Sequence, residues 1–200
     1  MVVSHRDSIE HIVKYLMITR CTHIVDGLLA LRSARAAAAR DAAIGLEILT
    51  LPLLASRLVG GFTTPAGTDV LYPAIQAALV AGGFQDIGGI AALPGMPRAV
   101  LQSLDSVWRA DLDLLSVAGD TARFHDLALI EARIRESIPA THMLPRDLRD
   151  AACERVDRAG KLLGPMTLSG IVEVDPIWRS LLNGIARVTE LSWDRSIAGW

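Results

Sequence analysis

Two strand–turn–helix units stand in succession near the start of this sequence, and together they commit the chain to a parallel sheet. Cys21 to Val25 carries the β-branched residues Thr22, Ile24 and Val25 and breaks at Asp26-Gly27. The Ala/Arg-rich stretch Leu28 to Ala43 that follows reads as a helix. Gly45 closes that helix, and Leu46 to Leu51 is a second apolar strand. Pro52 then suits the first turn of another helix, running to Val59 before Gly60-Gly61. Strands joined through helices pair in parallel and need cover on both faces, so the expected class is α/β.

The pattern changes in the middle of the chain. Thr68 to Ala81, Met96 to Leu114, Ala122 to Ser137 and Pro145 to Leu163 all show the three-four spacing of an amphipathic helix. They are separated by Gly82-Gly83, Gly88-Gly89, Pro94-Gly95 and Pro139. This block is expected to be entirely helical. A strand returns at Thr167 to Val174, Asp175-Pro176 starts a helix to about Ala186, and Val188 to Trp193 reads as a fourth strand. The expected organisation is an extension at residues 1–20, an α/β part from 21–66 and 164–200, and a helical insertion at 67–163. Ile9, Ile12, Val13 and Leu16 have the spacing of a short amphipathic helix, although residues 1–20 read equally well as an upstream extension of the natural start.

Composition excludes several classes. No apolar run approaches the roughly 20 residues of a membrane span, and no signal-type segment opens the chain, so a membrane role is not expected. The net charge is −2, and of 20 basic residues 18 are arginine, with Lys14 and Lys161 the only lysines. That bias does not by itself make a basic surface. Cys21 and Cys153 are too few and too far apart for a zinc site or a disulfide framework, which points to a reducing cytoplasm.

The motifs that would carry chemistry are incomplete. The turn after the first strand is where a phosphate-binding loop would sit, with backbone N–H groups and a lysine around the phosphates. Counting from Gly27, the required Gly-Lys-Ser/Thr is replaced by Arg32-Ser33-Ala34. Asp26, Gly27, Arg32 and Ser33 thus form a degenerate phosphate loop with no expected cofactor, and Arg32 and Arg35 read better as a solvated helix face. Asp175, at the end of the third strand, stands where a magnesium-holding acid would lie. It also precedes Pro176 at a helix start, where aspartate is a favoured cap. Metal-dependent nucleases of the PD-(D/E)XK type need a carboxylate two residues before a lysine, but Ile12 and Ala159 occupy those positions. The histidines lack metal-ligand spacing, and His125-Asp126 reads as surface polarity rather than a dyad. Trp108, Trp178 and Trp193 read as core. Arg146, Arg149, Arg155 and Arg158 alternate with acids, which cancels the field a phosphate backbone would feel, and Glu154 with Arg158 reads as an i,i+4 helix pair.

Six stretches carry a resemblance. They are Gly45-Leu-Glu-Ile-Leu-Thr-Leu-Pro-Leu-Leu-Ala-Ser-Arg-Leu, Leu93-Pro-Gly-Met-Pro-Arg-Ala-Val-Leu, Trp108-Arg-Ala-Asp-Leu-Asp-Leu, Asp126-Leu-Ala-Leu-Ile-Glu, Leu144-Pro-Arg-Asp-Leu and Leu163-Gly-Pro-Met-Thr-Leu-Ser-Gly. Over residues 21 to 193 the chain resembles the N-terminal region of PD-(D/E)XK nuclease family proteins of the AddB type, which act in double-strand-break repair and recombination. The resemblance implies a partial RecA-like, superfamily 1 helicase-like parallel sheet interrupted by an all-helical insertion, with a decayed ATP site. In such proteins the nuclease domain lies far downstream. The implied role is that of a catalytically inert module, a fragment or truncated relative of a nuclease, that contacts DNA or a partner helicase-nuclease subunit. The alternative is a protein-interaction scaffold with no nucleic-acid role. On the fragment reading, an apolar sheet edge or helix face left bare at Val188 to Trp193 is expected to make the isolated chain self-associate.

Overall fold

The computed structural model describes residues 20–117 and 121–194. The helix anticipated around Ile9 to Leu16 lies outside them. In chain order the described elements open with β1 (Cys21–Val25), α1 (Gly27–Arg40), β2 (Leu46–Leu49), α2 (Leu51–Val59), β3 (Thr64–Pro65) and α3 (Thr68–Ala81). Next come α4 (Met96–Arg109), α5 (Leu114–Val117), α6 (Ala122–Ser137), β4 (His142–Met143) and α7 (Pro145–Cys153). A single 3-10 turn, Val156–Arg158, leads to α8 (Ala159–Leu163), β5 (Met166–Ser169), α9 (Pro176–Ile185) and β6 (Leu191–Asp194). The chain divides into two compact units. One comprises Met1–Leu51, Asp157–Val172 and Ile185–Trp200, and the other Pro52–Val156 and Glu173–Gly184.

The first unit is built on a four-stranded parallel sheet in the order β2-β1-β5-β6. Cys21 pairs with Leu46, Thr22 with Met166, and Met166 with Leu191. From β1 the chain moves to β2 on one side and later to β5 and β6 on the other. The strand order therefore reverses between β1 and β5, as it does in doubly wound sheets. Ile24, Ile48, Leu49, Met166 and Leu168 are buried in the sheet. Thr22 is fully buried as well, and its hydroxyl is satisfied by donating to the Leu163 carbonyl at 2.7 Å. Gly164 turns the chain from α8 into β5 with φ +67°, and a Cβ at this position would overlap the Arg20 carbonyl oxygen. This close backbone approach seats the entry to β1 against the entry to β5.

The second unit is helical, with α3, α4 and α6 packed on one another. Leu71, Ile75, Leu104, Trp108, Leu127, Ile130 and Ile134 are buried there, repeating at the three-four spacing of the sequence. The block is nevertheless not entirely helical. Thr64 pairs in parallel with His142, and Pro65 with Met143, as a two-stranded ladder. The ladder pairs residues far apart in sequence and too few for strand periodicity to show.

Several elements end earlier than their apolar patterns suggest. β5 stops at Ser169 because Gly170 adopts φ +68°, although Ile171 and Val174 beyond it are buried. β2 stops at Leu49, and Leu51 already opens α2. The stretch Met96 to Leu114 breaks after Arg109, where Asp111 takes the left-handed φ of +55°. Pro145 to Leu163 breaks after Cys153, so Glu154 and Arg158 do not share the helix an i,i+4 pair requires. Trp108 and Trp178 are buried as expected. Trp193 is not, since 40 % of it is exposed while its indole N–H donates to the Ile171 carbonyl at 2.7 Å.

Candidate functional site

The corner after β1 is tight. Only Asp26 separates Val25 from Gly27, and Gly27 already opens α1. Gly27 has φ +74°, and a Cβ there would meet nothing within 4 Å, so the backbone conformation requires glycine rather than the approach of a neighbour. A phosphate-binding loop presents several N–H groups from non-helical backbone before its helix starts. Here Arg32 and Ser33 lie inside α1 with exposed side chains, and Asp26 makes no side-chain cap. Arg35 turns toward the sheet and donates from Nε and Nη2 to the Ile48 carbonyl at 3.2 and 2.9 Å. The corner thus carries a carboxylate and a helix start but no cradle of loop amides.

Asp175 immediately precedes Pro176 of α9. Its Oδ2 lies 3.5 Å from Nε of Arg109, which is also 3.6 Å from Oδ2 of Asp105. The carboxylate is therefore engaged by a guanidinium. Among the described residues no group of three or more His, Cys, Asp or Glu side chains is placed to hold a metal ion. Cys21 and Cys153 are free thiols, each half-buried.

The strongest polar constellation lies elsewhere, on α6. Asp126 is only 2 % exposed, which corrects the reading of His125-Asp126 as surface polarity. Its Oδ1 accepts the Gln85 N–H at 2.9 Å, and its Oδ2 accepts those of Asp86 and Ile87 at 2.8 and 3.0 Å. Burial pushes this carboxyl up, but the three backbone donors and nearby His125 outweigh it and hold the group below the ordinary aspartate value. Along the same helix Arg133 donates to the carbonyls of Ala78 and Gly82 at 3.0 and 2.7 Å, closing the C-terminal end of α3, and lies over the Phe84 ring. Glu131 accepts the Trp108 indole N–H at 2.9 Å, and Arg123 reaches Asp86 at 2.9 Å. One signal in the sequence pointed here. An acid adjoining the apolar stripe of Leu127, Ile130 and Ile134 must be satisfied if it is buried.

Asp126 and Arg123 tie the segment following α3 to α6, Arg133 ties the end of α3 to it, and Glu131 ties α4 to it. Replacing Arg133 with alanine is expected to cost about 1–2 kcal/mol, because two helix-terminal carbonyls lose a charged donor. Chemical denaturation would measure this, and an unchanged midpoint would remove Arg133 from the account.

The arginines of the helical unit are heavily paired. Arg109, Arg123, Arg135, Arg146, Arg149 and Arg179 each lie within ion-pair distance of a carboxylate. Arg149 meets Asp111 at 2.8 Å and Asp150 at 2.6 Å, and Arg155 donates to the Val59 carbonyl. Comparison with protein-family profiles and with curated proteins finds no match to this chain.

Proposed function

We propose that this chain is a catalytically inert, RecA-like (superfamily 1 helicase-like) module of a PD-(D/E)XK, AddB-like DNA-repair nuclease, and that it acts by contacting DNA or a partner subunit. The observation that carries this reading is the interrupted sheet. Two βα units begin at Cys21, a mostly helical segment intervenes, and β5 then rejoins the same parallel sheet beside β1, with β6 beyond it. The sequence resemblance implies an architecture of this kind. The missing phosphate cradle at Asp26-Gly27 accords with a scaffold that does no nucleotide chemistry. One observation favours the alternative of an interaction scaffold without a nucleic-acid role. The ion-paired arginines of the helical unit leave little uncompensated positive charge for a phosphate backbone.

The test uses the purified chain with forked DNA, ATP and magnesium or manganese. Expected are no nucleotide-stimulated phosphate release, no chelator-sensitive cleavage, and a DNA complex that weakens steeply with salt. Hydrolysis abolished by changing Arg32, or cleavage abolished by changing a carboxylate, would refute the inert reading. Absence of a DNA complex at low salt would transfer the function to a protein partner.

A further inference from the structure

Resting on the partner-contact side of that reading, we propose that α1 is a docking helix for an acidic amphipathic helix of a partner protein. Only Leu31 of its residues is buried. Leu28 and Leu29 in its first turn are 66 % and 83 % exposed, and Arg32, Ala36, Ala39 and Arg40 continue the outward side. Three- and four-residue steps place Leu28, Arg32, Arg35 and Ala39 in one row, with Leu29, Arg32, Ala36 and Arg40 beside it. The face is therefore apolar at one end, narrow in the middle and cationic along its length.

Among the described residues, no carboxylate makes an ion pair with Arg32 or Arg40. The helix contains no acid, its first turn is uncapped by any side chain, and among the described residues neither Asp26 nor Asp41 at its two ends makes an ion pair with its arginines. The contrast with the six paired arginines of the helical unit is direct. The positive end of the helix dipole adds to the same field, beside the two leucines. The complement is a helix with apolar residues for Leu28 and Leu29, and with carboxylates about 12 Å apart to meet Arg32 and Arg40, eight residues at 1.5 Å each.

A nucleic acid fits this face less well. It presents no aromatic ring for a base to stack on, it would set two leucines against phosphates, and Arg35 is already bound to the Ile48 carbonyl. A second copy of the same face would bring like charges together.

The experiment measures binding of the full chain to three probes: a synthetic amphipathic peptide with a leucine stripe flanked by glutamates, the same peptide with lysines for glutamates, and an oligothymidylate. The acidic peptide is expected to bind in preference to the other two. Leu28→Ser with Leu29→Ser should weaken it roughly tenfold, as expected for burying two such side chains only in part. Arg32→Glu with Arg40→Glu should reverse the preference toward the lysine peptide. All these positions are exposed, and circular dichroism would verify that the variants keep their fold. Equal or absent binding of the two peptides would overturn the proposal. So would oligothymidylate binding lost on Arg32→Glu/Arg40→Glu, or a concentration-dependent dimer lost on Leu28→Ser/Leu29→Ser. Failure of the peptide with forked-DNA binding intact would sink the docking helix and leave the helicase-like reading standing.

Discussion

Asp126→Ala is expected to destabilise the helical unit by about 3 kcal/mol, with a fall in melting temperature of roughly 6–12 °C. Three backbone N–H groups lose a charged acceptor at once, and that of Ile87 belongs to a residue only 5 % exposed, where water is a poor substitute. Asp126→Asn should fall between, because it keeps an acceptor oxygen but turns an amide N–H toward backbone donors. Hydrogen exchange at Gln85, Asp86 and Ile87 should accelerate in both variants. The carboxyl is held below its ordinary value in the folded state, so its contribution is complete above the unfolded value of about 4 and is lost as pH falls through the lower folded one. The stability difference between wild type and Asp126→Asn should therefore shrink below about pH 4. A difference that stays constant from neutral pH to well below that point would show that Asp126 does not hold the segment as an ionised acceptor.

Gly164→Ala is expected to cost a similar amount, about 3–4 kcal/mol, in the sheet unit. Two penalties combine here. The left-handed φ of +67° disfavours any Cβ, and the Cβ would overlap the backbone oxygen of Arg20, which cannot swing aside as a side chain can. The displaced backbone also carries the Gly164 carbonyl, which accepts from the Thr189 hydroxyl at 3.2 Å. Gly27→Ala and Gly170→Ala serve as controls. Both glycines have positive φ, but a Cβ at either meets nothing within 4 Å, so only the conformational cost of about 1 kcal/mol applies. Chemical denaturation of the three variants should rank Gly164 well above the other two. Equal costs would mean that the close approach to Arg20 is relieved without loss.

Local chemistry was enough for the elements whose signals lie within themselves. β1 at Cys21–Val25, α3 at Thr68–Ala81 and α6 at Ala122–Ser137 span the residues that β-branching, apolar spacing and glycine or proline punctuation indicate. The parallel character of the sheet was legible too, because two strands joined through a helix pair in parallel. The degenerate phosphate loop was visible as a missing Gly-Lys-Ser/Thr. The helix carrying Arg32 and Ser33 was legible as well, and only its start at Gly27 itself, with no side-chain cap from Asp26, appeared with the backbone.

Tertiary structure decided whatever depends on a distant partner. The β3 and β4 residues are strand only because each finds the other, from Thr64–Pro65 to His142–Met143. The Asp126 carboxylate is an anchor because the chain returns the amides of Gln85 to Ile87 to it, and Asp175 is a salt-bridge partner because Arg109 lies 3.5 Å away. Neither pairing leaves a periodic trace in the sequence. A single residue's propensity is the same wherever the chain runs, whereas a buried charge is defined by what surrounds it. Residue spacing therefore determined that the chain forms a parallel α/β sheet and a set of amphipathic helices. Which polar side chains became anchors, and which exposed face of α1 kept its positive charge, was settled only when distant segments met or failed to meet.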